Sequence, residues 1–169
     1  MTVIAYQAFF LCDAIDYVTF PTTVVSISDE AFMYSSLKSV TIPSNIVSIG
    51  RFAFANSISL VVASISEQVS SIGYGAFENC TDLHTVYLPN SLVNISSHLF
   101  YDCVSLNCIE WSGLSNRFVA SDSFFNCPLL GCSYSNFTSN NSSSSDCQDC
   151  NSCRNGGRNV TISCNYLNY

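Results

Sequence analysis

The hydrophobic positions of this chain recur in columns. Ala-Phe pairs stand at Ala8-Phe9, Ala31-Phe32, Ala53-Phe54 and Ala76-Phe77, and Leu99-Phe100 and Ser123-Phe124 fill the same slot further on. The Phe-to-Phe steps are 23, 22, 23, 23 and 24 residues. Five residues before each Phe sits Ile4, Ile27, Ile49, Ile72, Ile95 or Val119, and three after it sits Cys12, Ser35, Ser57, Cys80, Cys103 or Cys127. Next comes Ile15, Leu37, Leu60, Leu83, Leu106 or Leu130, and then an alternating stretch: Val18-x-Phe20-Pro21, Val40-x-Ile42-Pro43, Ala63-x-Ile65-Ser66, Val86-x-Leu88-Pro89 and Ile109-x-Trp111-Ser112. Such alternation predicts a short strand with two side chains inward. The Pro slot ends it, because Pro supplies no ladder donor. The chain then turns, and a V-x-x-I pair and the Ala-Phe pair re-enter the core from the opposite side. One such unit has no second layer to pack on, so the units must stack and bury a continuous core.

Stacking in register turns each column into a row. Two rows of the predicted strands point outward. One reads Tyr17, Ser39, Val62, Thr85, Cys108 and Cys132; the other reads Thr19, Thr41, Ser64, Tyr87, Glu110 and Tyr134. Adjacent strands lie about 4.7–4.9 Å apart, which places Cys108 beside Cys132 within reach of a disulfide. The remaining positions make a surface of hydroxyls and tyrosines with little charge, suited to hydrogen bonding and stacking against a protein or glycan. Tyr17, Thr19, Thr41, Thr85, Tyr87, Glu110 and Tyr134 are its candidate ligand-binding residues. The Cys12 to Cys127 column calls for a small, semi-polar buried residue; inert buried thiols and disulfides between successive members are the two readings of it.

Composition narrows the setting. Of 169 residues only 10% are charged and 48% are apolar, with a formal charge of −7. Five scattered Lys and Arg argue against nucleic acid and anionic membrane surfaces as partners, and no apolar run is long enough to span a bilayer. Ten cysteines are many for a reduced compartment. N-x-Ser/Thr triplets begin at Asn79, Asn94, Asn136, Asn140, Asn141 and Asn159. Together these point to an extracellular or cell-surface chain carrying glycosylation candidates. The apolar start has no basic region and no small-residue cleavage site, and it already belongs to a repeat, so the chain reads as a fragment.

Beyond Leu130 the repeat fades. Residues 135–146 are a Ser/Asn-rich linker, and residues 147–169 carry Cys147, Cys150, Cys153 and Cys164. A disulfide-stapled module fits these four best. A zinc site and an iron–sulfur cluster are the alternatives, and neither has the usual ligand spacing, so no metal or cofactor is expected. No active site stands out. His84 and His98 are the only histidines and read as surface residues. There is no nucleophile elbow, phosphate loop or H-E-x-x-H motif. The acids around Asp29-Glu30, Phe77 and Phe100 read as turn caps and solubilisers.

Ile72-Gly73-x-x-Ala76-Phe77-x-x-Cys80, followed by Leu83-x-x-Val86-x-Leu88-Pro89, resembles the repeat unit of BspA-type leucine-rich repeat proteins of bacterial and protist surfaces. The likeness covers residues 1 to about 135. It implies a leucine-rich-repeat solenoid of the α/β horseshoe class over residues 1–134, a right-handed coil of about 5–6 repeats. Short parallel strands would line a concave face, with turns and short helical pieces on the convex side. The function it implies is non-catalytic binding of a protein or glycan in adhesion or host and matrix contact. A structural spacer that only displays other domains is the alternative.

Overall fold

A computed structural model describes residues 2–111 and 118–130. These residues coil into about five turns, each contributing to parallel ladders on two sides. The L-x-x-V-x-I segments form β3 (Ser39–Ile42), β5 (Val62–Ile65), β7 (Thr85–Tyr87) and β9 (Cys108–Glu110), hydrogen-bonded side by side in that order. The V-x-x-I segments form β1 (Thr2–Ile4), β2 (Val24–Ile27), β4 (Ser48–Ile49) and β6 (Ser71–Ile72). These make a second parallel sheet, and β8 (Asn94–Ile95) and β10 (Phe118–Val119) pair likewise.

The second ladder adds strand pairing to a V-x-x-I segment expected only to re-enter the core from the opposite side. Each of its strands carries a β-branched Ile or Val inward, and each coil offers the next an edge in the same register, so pairing is the cheapest way to satisfy the backbone. Among the described residues the remainder of each coil is turns, with no helix; the left-handed residues flanking the Phe corners interrupt any right-handed helical run. Residues 17–20 form no strand, although Lys38 still bonds through its backbone N–H to the Asp16 carbonyl at 3.0 Å. The first coil has a described neighbour on one side only, and terminal repeats are the least constrained.

The core is the stacked columns themselves. Phe9, Phe32, Phe54, Phe77, Phe100 and Phe124 form one continuous pile of rings. Successive centroids lie 4.8, 5.2, 5.3, 5.7 and 5.4 Å apart. Leu37, Leu60, Leu83 and Leu106 are buried beside them, as are Val40, Ala63 and Val86 from the inward strand positions. The small Ala column lets backbones approach: each Phe N–H donates to the carbonyl before the next Phe, as in Phe32 to Ala53 at 2.7 Å and Phe54 to Ala76 at 2.8 Å. The Pro slot closes a turn, with Val24, Ile46 and Leu92 donating to the carbonyls of Pro21, Pro43 and Pro89.

Each Ala-Phe corner turns through left-handed residues placed two before and two after the Phe. Gln7, Leu11, Glu30, Tyr34, Phe52, Asn56, Gly75, Asn79, His98, Asp102 and Asn126 all have φ between 54° and 61°. For most side chains this conformation costs about 1–2 kcal/mol, and Asn and Asp tolerate it best. The later coils use that tolerance twice. Asn79 donates through Nδ2 to Asn56 Oδ1 at 2.7 Å, and Asn126 does so to Asp102 Oδ1 at 2.9 Å. Leu11 occupies the same slot without either benefit and is exposed. Leu11→Asn is therefore expected to stabilise the protein by about 0.5–1 kcal/mol, read as a higher urea midpoint at unchanged m-value.

Candidate functional site

The outward rows of the β3-β5-β7-β9 sheet stand in the register that the sequence predicts. Ser39 pairs with Val62, Val62 with Thr85, and Thr85 with Cys108. Thr41 pairs with Ser64, Ser64 with Tyr87, and Tyr87 with Glu110. Thr41 and Tyr87 are exposed, and Thr85 and Glu110 are half-buried. These four share one face and are brought together by the ladder. Tyr17 and Thr19 are exposed on the first coil outside any strand. Tyr134 lies outside the described residues. Charge on the flank comes from the exposed pair Lys38–Asp16 at 2.9 Å.

Cys108 departs from its row. It is buried, whereas Tyr17, Ser39, Val62 and Thr85 of the same row are not, and it is disulfide-bonded. The other described cysteines, Cys12, Cys80, Cys103 and Cys127, are free thiols. Cys132, Cys147, Cys150, Cys153 and Cys164 lie outside the described residues, together with the linker and tail.

The free thiols settle their column. Cys80, Cys103 and Cys127 donate through Sγ to the carbonyls of Phe54, Phe77 and Phe100 in the preceding coil, at 3.2, 3.1 and 3.0 Å. Ser57 Oγ does the same to Phe32 at 3.0 Å. The column needs a small donor, not a disulfide. Burial pushes the Cys80 and Cys127 thiols up to about 12, the opposite of what a nucleophile requires.

Of the glycosylation candidates, Asn94 is exposed on β8, while Asn79 is half-buried with its amide nitrogen on Asn56. Asn136, Asn140, Asn141 and Asn159 lie outside the described residues. His84 is exposed, its Nδ1 facing the Asp82 carbonyl at 2.6 Å. His98 is not the plain surface residue that the sequence suggests. Its ring stacks on Tyr74 at 4.8 Å and Tyr101 at 4.3 Å, and its nitrogens face Glu78 at 3.2 Å and Asp122 at 3.4 Å. It ties three coils together at a corner, a role that becomes visible only once the position two before the Phe is known to turn left-handed. Among the described residues no group of His, Cys, Asp and Glu is placed to hold a metal ion, and no helix is long and apolar enough to cross a membrane.

A ribbon of ~23-residue coils, with a Leu/Val/Ile strand on one side and stacked Phe corners, defines a leucine-rich-repeat solenoid. The chain belongs to the BspA-type leucine-rich repeat family, whose pattern matches six copies over residues 2–131. Its fold is similar to that of the T. pallidum leucine-rich repeat protein TpLRR, with TM-score 0.67 at 25% identity over 76% of this chain and 71% of that one. A leucine-rich repeat protein from Eubacterium ventriosum ATCC 27560 superposes with TM-score 0.53 at 24% identity over 70% of this chain and 38% of that one. No curated protein sequence matches the chain.

Proposed function

We propose that this chain is a non-catalytic binding module of a cell-surface or secreted protein, engaging a protein or glycan in adhesion or matrix contact. Binding would use the β3-β5-β7-β9 face, the concave side in a horseshoe. One observation carries the reading: the in-register row Thr41, Ser64, Tyr87 and Glu110, with Tyr87 40% exposed. A tyrosine there offers apolar area and a hydroxyl at low entropic cost, a combination favoured at recognition surfaces. The extracellular setting rests on ten cysteines and six sequons. Within it, Cys132 is the proposed partner of Cys108, Cys147, Cys150, Cys153 and Cys164 form a stapled tail, and Asn94 is the most accessible described sequon.

A surface-plasmon screen of the folded chain against purified extracellular-matrix proteins and their glycans tests the proposal. Tyr87→Ala should weaken any binding found by about 10-fold or more while leaving the circular dichroism unchanged. Absence of binding, or binding indifferent to Tyr87→Ala and Thr41→Ala, would overturn this face as the site and leave a display scaffold.

A further inference from the structure

The other ladder carries a feature that the binding proposal does not use. On its outer side a pocket of about 420 Å³ is bounded by Tyr6, Ser26, Ser28, Asp29, Ser48 and Gly50. Three successive coils contribute to it. Ser26 and Ser48 are paired across β2 and β4 and alternate with the buried Ile27 and Ile49, so they point away from the core.

Two of its polar groups, on Tyr6 and Asp29, are held in place. The Tyr6 hydroxyl donates to Glu30 Oε2 at 3.3 Å, and Gln7 Nε2 donates to the same oxygen at 2.7 Å, which holds the phenol ring at the rim. Asp29 Oδ1 accepts the Arg51 backbone N–H at 2.7 Å. Gly50 makes room for that arrangement: a Cβ there would stand 2.5 Å from both Asp29 N and Asp29 Oδ1. The hydroxyls of Ser26, Ser28 and Ser48 make no side-chain hydrogen bond among the described residues. They are unspent donors and acceptors around one space. No cation lines the pocket, and the nearby Arg51 guanidinium sits over the Tyr74 ring at 5.7 Å.

We propose that this pocket binds a neutral hexopyranose. An aromatic plate at the rim matches the apolar face of a sugar ring. A carboxylate oxygen and three hydroxyls match its ring of OH groups, each able to donate and accept. The paired acids Asp29 and Glu30, with no compensating lining cation, disfavour acidic sugars. The site lies on a different ladder from Tyr87, so either proposal can fail alone.

The test is titration of the full ¹⁵N-labelled chain with the methyl glycosides of glucose, galactose, mannose and N-acetylglucosamine at millimolar concentrations. N-acetylneuraminic acid serves as the charged counter-probe. At least one neutral glycoside should shift the amides of residues 26–29 and 48–50, and the acidic sugar should not. Tyr6→Ala and Asp29→Asn should each weaken the fitted Kd about 10-fold or more, whereas Tyr87→Ala should leave it unchanged. Asparagine keeps an acceptor for Arg51, so Asp29→Asn preserves the local fold. The proposal is overturned if no neutral glycoside moves these amides, if both pocket variants bind as wild type does, or if the acidic sugar binds equally well.

Discussion

Phe77→Ala is expected to cost about 3–5 kcal/mol of stability, the largest effect of any single substitution in the array. The ring is fully buried and is stacked on both sides, by Phe54 at 5.3 Å and Phe100 at 5.7 Å. Truncation removes both stacking contacts and leaves a hole whose walls are the neighbouring coils. Those walls cannot collapse, because their spacing is set by the strand ladders at about 4.7–4.9 Å. The same change at Phe124, which is only half-buried in the last described corner, should cost distinctly less. In a linear array each coil is held by its neighbours, and the mid-array coil has two. Urea unfolding of both variants measures the difference. A loss below about 1 kcal/mol at Phe77, against the range for buried Phe truncation, would mean that the ring pile is not the core.

The columns that made the repeat legible are those where one side chain type serves every coil. Phe must fill the corner, Leu the turn into the strand, and β-branched residues the inward strand positions, so periodic spacing alone places them. The outward rows followed from the same parity and hold through Ser39–Val62–Thr85–Cys108. What escaped is what several side chains can satisfy. The left-handed corner positions are a property of the backbone, and Gln7, Tyr34, Phe52 and His98 occupy them as Asn56 and Asn79 do. The Asn and Asp of the later copies were the available signal. The second ladder was hidden because β4, β6, β8 and β10 are two residues long, too short to show alternation. The pocket draws one wall from each of three coils, and Tyr6 and Asp29 fill one slot with unlike side chains, so no column of one residue type marks it.

Raising the pH should unfold this protein through its thiol column. Burial holds the Cys80 and Cys127 thiols up to about 12, from an ordinary value of 9.0, against the smaller opposing pull of backbone hydrogen bonds from Ser57 and Cys103. Desolvation moves Cys103 the same way, reinforced by Cys80 and Cys127. The folded-state values lie above the unfolded ones, so the stability they contribute is fully present below about pH 9 and is lost as pH climbs toward 12. Between those limits the unfolded chain releases protons that the folded one keeps. Cys80 and Cys127 then each remove about 1.4 kcal/mol per pH unit, about 3 kcal/mol together, and Cys103 adds to the loss in the same direction. Set against a domain stability of about 5–15 kcal/mol, that loss consumes the low end of the range within about one to two units above pH 9. The control is written in the sequence: Ser35 and Ser57 fill the same buried slot, and Ser57 makes the same bond to the preceding Phe carbonyl. The triple variant Cys80→Ser, Cys103→Ser, Cys127→Ser keeps the donors and removes the titration. Tyrosine and lysine ionisation is common to both proteins and cancels between them. Urea midpoints from pH 8 to 10.5 should fall steeply for the wild type and markedly less for the triple variant. Parallel slopes would show that these thiols ionise as freely when folded as unfolded, and the buried column would have to be abandoned.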